Sequence, residues 1–176
     1  MTETQIWTAP GVERSDYPVG EGERACLEIF LDFHRDTLLM KCAGLTGEQL
    51  ALKSVPTSNL CLLGLLRHLA EVEMWWFRTQ FDQNKDLPDL YCDDEFPDGD
   101  FDFIDPAKAQ QDHATFVREV ALAKQTAAGR GLDEEFPGRK RALTLRWVYF
   151  HMIEEYARHN GHADLLREAI DGVTGE

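Results

Sequence analysis

The chain has 176 residues, 43% of them hydrophobic, which suits one domain with a substantial core and makes a second domain the poorer division. Its net charge of −14 excludes the basic footprint that nucleic acid or an anionic membrane surface requires. The sequence shows no apolar run of about 18 residues and no basic-then-apolar leader, so no membrane span or signal peptide is expected, and the cytoplasm is the expected compartment.

The first helix is expected from Glu21 to Ala43, with apolar residues at three- and four-residue spacing and Gly44 at its end. His34 falls on an apolar face of it. A second helix is expected from Ser58 to Gln80, opened by the capping residues Thr57, Ser58 and Asn59. Its inner face reads as Cys61, Leu65, Leu69, Val72, Trp75 and Trp76, with His68 near the middle. Arg67, Glu73 and Arg78 read as outward, and Glu71 sits at the edge.

Residues 82–105 follow, holding ten acids and one lysine, a net of −9 out of the chain's −14. "DDEFPDGDFDFID" fails the calcium-loop order, since Phe96 stands at the third position and Asp105 at the twelfth. The expectation is a long solvated acidic loop pinned by Phe96, Phe101 and Phe103. The third helix opens at Asp105-Pro106 and runs to Ala128, before "GRG" stops it. Thr144 caps a fourth helix that continues to Ile170. No segment between them alternates as a strand does, so the fold class expected is all-α, a four-helix bundle over residues 1–176. The four cysteines, Cys26, Cys42, Cys61 and Cys92, form no CxxC pair and read as reduced thiols rather than a disulfide framework.

The fourth helix carries the chemistry. Its apolar arc comprises Leu145, Val148, Met152, Tyr156, Ala163, Leu166 and Ile170. Glu155, His159 and His162 fall inside the arc, Glu154, Asn160, Asp164 and Arg167 point elsewhere, and His151 and Arg158 lie on the rim. Carboxylates and imidazoles in a core stripe are costly to bury unless something pairs with them. Glu155 and His159, four residues apart, can grip one ion together, and a facing helix can supply His68. Two imidazoles and a carboxylate suit a divalent cation, and three protein ligands leave an open coordination position, as catalytic zinc sites do. The same set also suits non-haem Fe(II). Ordinary core histidines satisfied by a tyrosine or a carbonyl are the alternative reading. HExxH, paired Glu-x-x-His helices, GxSxG, a P-loop and GxGxxG are all missing.

"LLGLLRHLAEVEMWWFR" and "TLRWVYFHMIEEYARHNGHADLLREAIDG" resemble the DinB-like superfamily of metal-binding four-helix proteins, especially the actinobacterial branch related to mycothiol-dependent maleylpyruvate isomerase. The likeness extends from "GERACLEIFLDFHRDTLLMKCAGLT" onward and fades in the acidic loop. It implies a divalent metal, zinc first with nickel or iron as alternatives, held by His68, Glu155 and His159. Glutamate at 155, where many relatives have histidine, is like the isomerase. The resemblance also implies a low-molecular-weight thiol such as mycothiol or bacillithiol at the open position, an electrophilic small molecule as its partner, and a homodimer. The isomerase's additional C-terminal domain has no expected counterpart here.

On that reading His162 either orients a ligand, contacts the thiol or makes a core hydrogen bond. Arg158 and Arg146 either bind a carboxylate of the thiol or substrate or stay solvated. Glu71 is an acceptor behind His68, a surface charge, or the general base of a hydrolytic alternative. His34 is a further candidate ligand, Cys61 a small buried hydrophobe, and His113 structural. Trp75, Trp76 and Trp147 read as core and pocket walls. The activity so implied is a thiol-dependent S-transferase or isomerase; the contrasting expectation is a non-catalytic stress-response or binding protein with a structural or vestigial metal site.

Overall fold

The computed structural model describes residues 6–17, 19 and 22–175. Four long helices dominate it. Helix α1 spans Glu23–Cys42; the expected start at Glu21 lies outside the described residues. Gly44, at φ +77°, supplies the left-handed residue that ends it. A short helix α2, Gly47–Leu50, follows under a complete capping box in which Thr46 and Gln49 exchange hydrogen bonds. Helix α3, Leu62–Glu73, begins later than the capping cluster at Ser58 suggests. Its N-cap is Cys61, whose sulfur accepts from the Gly64 amide at 3.3 Å.

Beyond Glu73 the same rod continues as a π-helical stretch, Met74–Phe81. The acidic connection contains one helical turn, α4 (Gly99–Asp102). Asp105 then caps a 3₁₀ turn at Pro106–Lys108 that leads into α5, Ala109–Ala127. The last helix, α6, runs from Leu145 to Asp171, with Thr144 accepting from the Trp147 amide and Gly172 (φ 77°) closing it.

Helix α1 lies along α6, α3 lies along α5, and α3 also meets α6, which closes the bundle. Leu31, Leu38, Leu62, Leu65, Leu66, Leu69, Phe116, Met152 and Tyr156 form one continuous core. The all-α, four-helix expectation stands, with one addition. Between α5 and α6 a small antiparallel ribbon joins β1 (Glu135–Pro137) to β2 (Ala142–Thr144), with Phe136 opposite Leu143. Three-residue strands are too short to show alternation in sequence; Phe136 turns inward against Phe81 and anchors the ribbon.

Several outward assignments are reversed by packing. Glu73, expected outside, is fully buried, because it stands four residues after Leu69 and seven after Leu66 on their face. Trp75, expected inside, is 44% exposed on the opposite side. Asn160 is buried and donates to the His34 carbonyl at 3.0 Å, since α6 meets both α1 and α3 and its buried arc is wider than one stripe. Arg167 reaches the carbonyls of Lys41 and Ala43 at 3.0 and 2.8 Å, satisfying the end of α1.

The acidic connection is exposed over most of its length, as expected of a solvated loop, but it is also fastened to α3. Glu71 accepts from the amides of Leu90, Tyr91 and Cys92 at 3.1, 2.7 and 3.2 Å, which fastens its first half to α3. Arg67, expected outward, is buried and donates to the carbonyls of Gly99 and Asp100 at 2.8 and 3.0 Å while covering the Tyr91 ring. Of the three expected pins only Phe101 packs inward, close to Gly64 and His68; Phe96 and Phe103 are exposed and lean on each other.

Candidate metal centre

Helix α3 presents His68, and α6 presents Glu155 and His159 one turn apart. Each of the three offers one ligand atom within 4.8 Å of the others. Glu155 Oε2 lies 3.5 Å from His159 Nε2, and the His68 and His159 rings are 4.7 Å apart at 56°. Donors about 2.1 Å from a tetrahedral ion stand about 3.4 Å from one another, so this spacing fits a divalent cation without rearrangement of the helices. All three side chains are partly buried, which gives an ion shelter and leaves a path to it.

The protonation of His159 agrees with that use. Burial, followed by the neighbouring His68, His162 and Arg158, pushes the His159 imidazole down to about 4, so its lone pair is free at neutral pH. His162 follows on the same stripe with its Nδ1 3.4 Å from His159 Nδ1. The exposed Arg158 turns its head to Glu154 and stays 4.0 Å from Glu155.

On the other flank His151 lies 3.8 Å from Glu155 and 3.7 Å from Glu154. Its ring stacks on Trp147 at 4.8 Å and 13°, while Trp76 meets it edge-on at 4.7 Å. These rings form an aromatic wall beside the three donors. With Glu154 and Glu155, His151 makes a second group of potential donors, but Glu154 is exposed and already engaged by Arg158.

One participant left no mark in the sequence. Asp100, only 3% exposed in the α4 turn, sets its Oδ2 2.8 Å from His68 Nδ1. It lies 32 residues from His68 with no periodic relation to it, and reads as one more acid in an acidic run. Glu71, expected at the surface or behind His68, does neither and has both oxygens on loop amides. Glu71 is thereby engaged and is not free to serve as the general base of a hydrolytic site.

Other candidates stand apart. His34 contacts Asn160 rather than the three donors. Arg146 is held by Glu23 and Asp133, and His113 packs edge-on against Trp7. Burial pushes the thiol of Cys42 up to about 12, and burial with the nearby Asp100 pushes Cys92 up to about 11, so neither is a nucleophile at neutral pH. A half-open pocket of about 250 Å³ lies elsewhere, beside Glu28, Asp32, Arg35 and Lys124. Its charges answer one another, Asp32 with Arg35 and Lys124, Glu28 with Arg24. No described helix is long and apolar enough to cross a membrane.

Comparison with known protein families matches residues 26–172 to the model described as MST, mycothiol-S-transferase. Neither curated proteins nor solved structures yield a match.

Proposed function

The chain belongs to the mycothiol-S-transferase family, and on that premise we propose that it is a metal-dependent transferase that moves the sulfur of a low-molecular-weight thiol, mycothiol first, to a small electrophile. His68, Glu155 and His159 are the proposed ligands, with zinc the first candidate and nickel or iron the others. The observation that carries the reading is the convergence of two imidazoles and one carboxylate from facing helices, each with a donor atom within 4.8 Å of the others. A divalent ion held there supplies a Lewis-acidic seat at which a thiol loses its proton at neutral pH.

The chain's own residues have three tasks in this reading. His68, Glu155 and His159 would hold the ion, and three protein ligands would leave a position for the thiol. The wall of Trp76, Trp147 and His151 limits water on one flank and offers ring faces to an apolar electrophile. His162, beside His159, and Arg158, at the rim, are the proposed contacts for the polar body of the thiol. Cys42 and Cys92 have no part in it, since burial raises both thiols and keeps them protonated at neutral pH.

The test uses zinc-loaded protein, mycothiol and monochlorobimane, with bacillithiol as a second thiol. Conjugation faster than the uncatalysed rate, lost on chelation and restored by zinc, is the expected result. Background rates with both thiols in protein that carries stoichiometric metal would overturn the proposal.

A further inference from the structure

We infer that Asp100 is the positioning residue of this centre: it accepts the Nδ1 proton of His68 and so holds Nε2 toward the ion, making the acidic connection a part of the metal site. The inference rests on the proposed ligand set. An ionised carboxylate only accepts, so the 2.8 Å approach of Asp100 Oδ2 to His68 Nδ1 requires the proton to sit on Nδ1. With that nitrogen committed, Nε2 is the atom His68 has left to give. A carboxylate behind a ligating imidazole fixes ring and tautomer and makes the donor nitrogen more basic.

The placement of Asp100 is built rather than incidental. Arg67, buried on α3 one residue before His68, grips the carbonyls of Gly99 and Asp100 at 2.8 and 3.0 Å, so one helix carries both the ligand and the clamp. Gly99 is required for the turn to seat, because a Cβ there would meet the Tyr91 carbonyl oxygen at 2.2 Å. Tyr91 is itself tied to Asp112 through its hydroxyl at 3.0 Å and to Glu71 through its amide. Phe101 closes over Gly64, where there is no side chain to obstruct it, and reaches the His68 ring at 5.7 Å.

The charge arrangement points the same way. Asp100 is buried, and the Arg67 guanidinium donates to the backbone oxygens of Gly99 and Asp100 and forms an ion pair with Asp112 at 3.6 Å rather than with the Asp100 carboxylate. A buried carboxylate without a cation in contact is costly. A divalent ion on the far side of the His68 ring would offset that charge through the imidazole. The two features, a buried acid whose close partner is the His68 imidazole and three converging donors, explain each other.

The experiment compares wild type, Asp100→Asn, Asp100→Ala and His159→Ala for zinc affinity by competition with a chromophoric chelator, and records the visible spectrum of the cobalt-substituted proteins. Asp100→Asn is expected to bind zinc about 10- to 100-fold more weakly and to shift the cobalt bands, with helicity unchanged. Nitrogen-15 spectra of zinc-loaded wild type, which need no variant to fold, are expected to show His68 protonated at Nδ1 and metallated at Nε2. Wild-type affinity and cobalt bands in a folded Asp100 variant, or metal on Nδ1 of His68, would overturn the role of Asp100 while leaving the centre in place. Failure of wild type to bind zinc, nickel or iron would instead overturn the ligand set, and this inference with it.

Discussion

Arg35 of α1 and Glu73 of α3 meet in a two-pronged pair inside the bundle, Nε to Oε1 and Nη2 to Oε2, both at 2.7 Å. Tyr156 of α6 donates its hydroxyl to the same Glu73 oxygen at 2.7 Å, so three helices converge on one carboxylate. Burial works against the Arg35 charge, but the Glu73 carboxylate outweighs it and the guanidinium stays firmly protonated. Removing one partner strands the other. Glu73→Ala is expected to lose about 3–5 kcal/mol in urea unfolding, and the double variant Arg35→Met/Glu73→Leu to recover most of that loss. Equal losses in the single and double variants would show that the pair is not the unit of stability.

Metal binding should separate cleanly from folding. His159→Ala and Glu155→Gln are each expected to abolish stoichiometric metal in elemental analysis while helicity by circular dichroism stays at the wild-type level. The apolar core of Leu31, Leu65, Leu69 and Met152 does not depend on either side chain. Full metal content in His159→Ala would remove that residue from the ligand set.

The metal-free protein should weaken in mild acid. His159 titrates near its ordinary 6.5 when unfolded and at about 4 when folded. Between those values the unfolded chain binds the proton and the folded chain does not, so stability falls as pH drops from 6.5 toward 4, by at most about 1.4 kcal/mol per pH unit from this group. Thermal melts of the chelated protein across that window should be steeper in pH than those of His159→Gln. Parallel curves would contradict the assignment.

Thiol labelling tests the claim that the nucleophile comes from outside the chain. At pH 8 in native buffer, iodoacetamide is expected to leave Cys42 and Cys92 unmodified over a period in which both react fully in urea, as read by mass spectrometry of peptides. Burial lifts Cys42 to about 12, and burial with Asp100 lifts Cys92 to about 11, so the reactive thiolate is scarce at both. Rapid native labelling of Cys92 would reopen it as a reactive group.

What could be read in the sequence was what depends on regular spacing. The four long helices, and the meeting of His68 with Glu155 and His159, follow from residues three, four and seven apart on rods that face each other. Relations between a rod and an irregular segment were not legible. Asp100 looks like any acid of its run until Arg67 folds the turn back onto α3. Glu73 was legible in principle, since its offsets from Leu66 and Leu69 place it in the stripe that the wheel reading left it out of; the partner that makes burial tolerable lies on a different helix. The β1–β2 ribbon pairs only three residues a strand, with Phe136 and Leu143 turned toward the core, too local for any period to reveal.

Fastening of the acidic connection at two points, through Glu71 and through Arg67, divides it into parts with different freedom to change. Residues 93–98 lie between the anchors with their side chains exposed. Drift, short insertions or a grafted epitope should be absorbed there with little effect on the core, whereas the same edits at Tyr91 or Gly99 would be felt by the ligand helix. Homologues should accordingly differ most in the length of this tip.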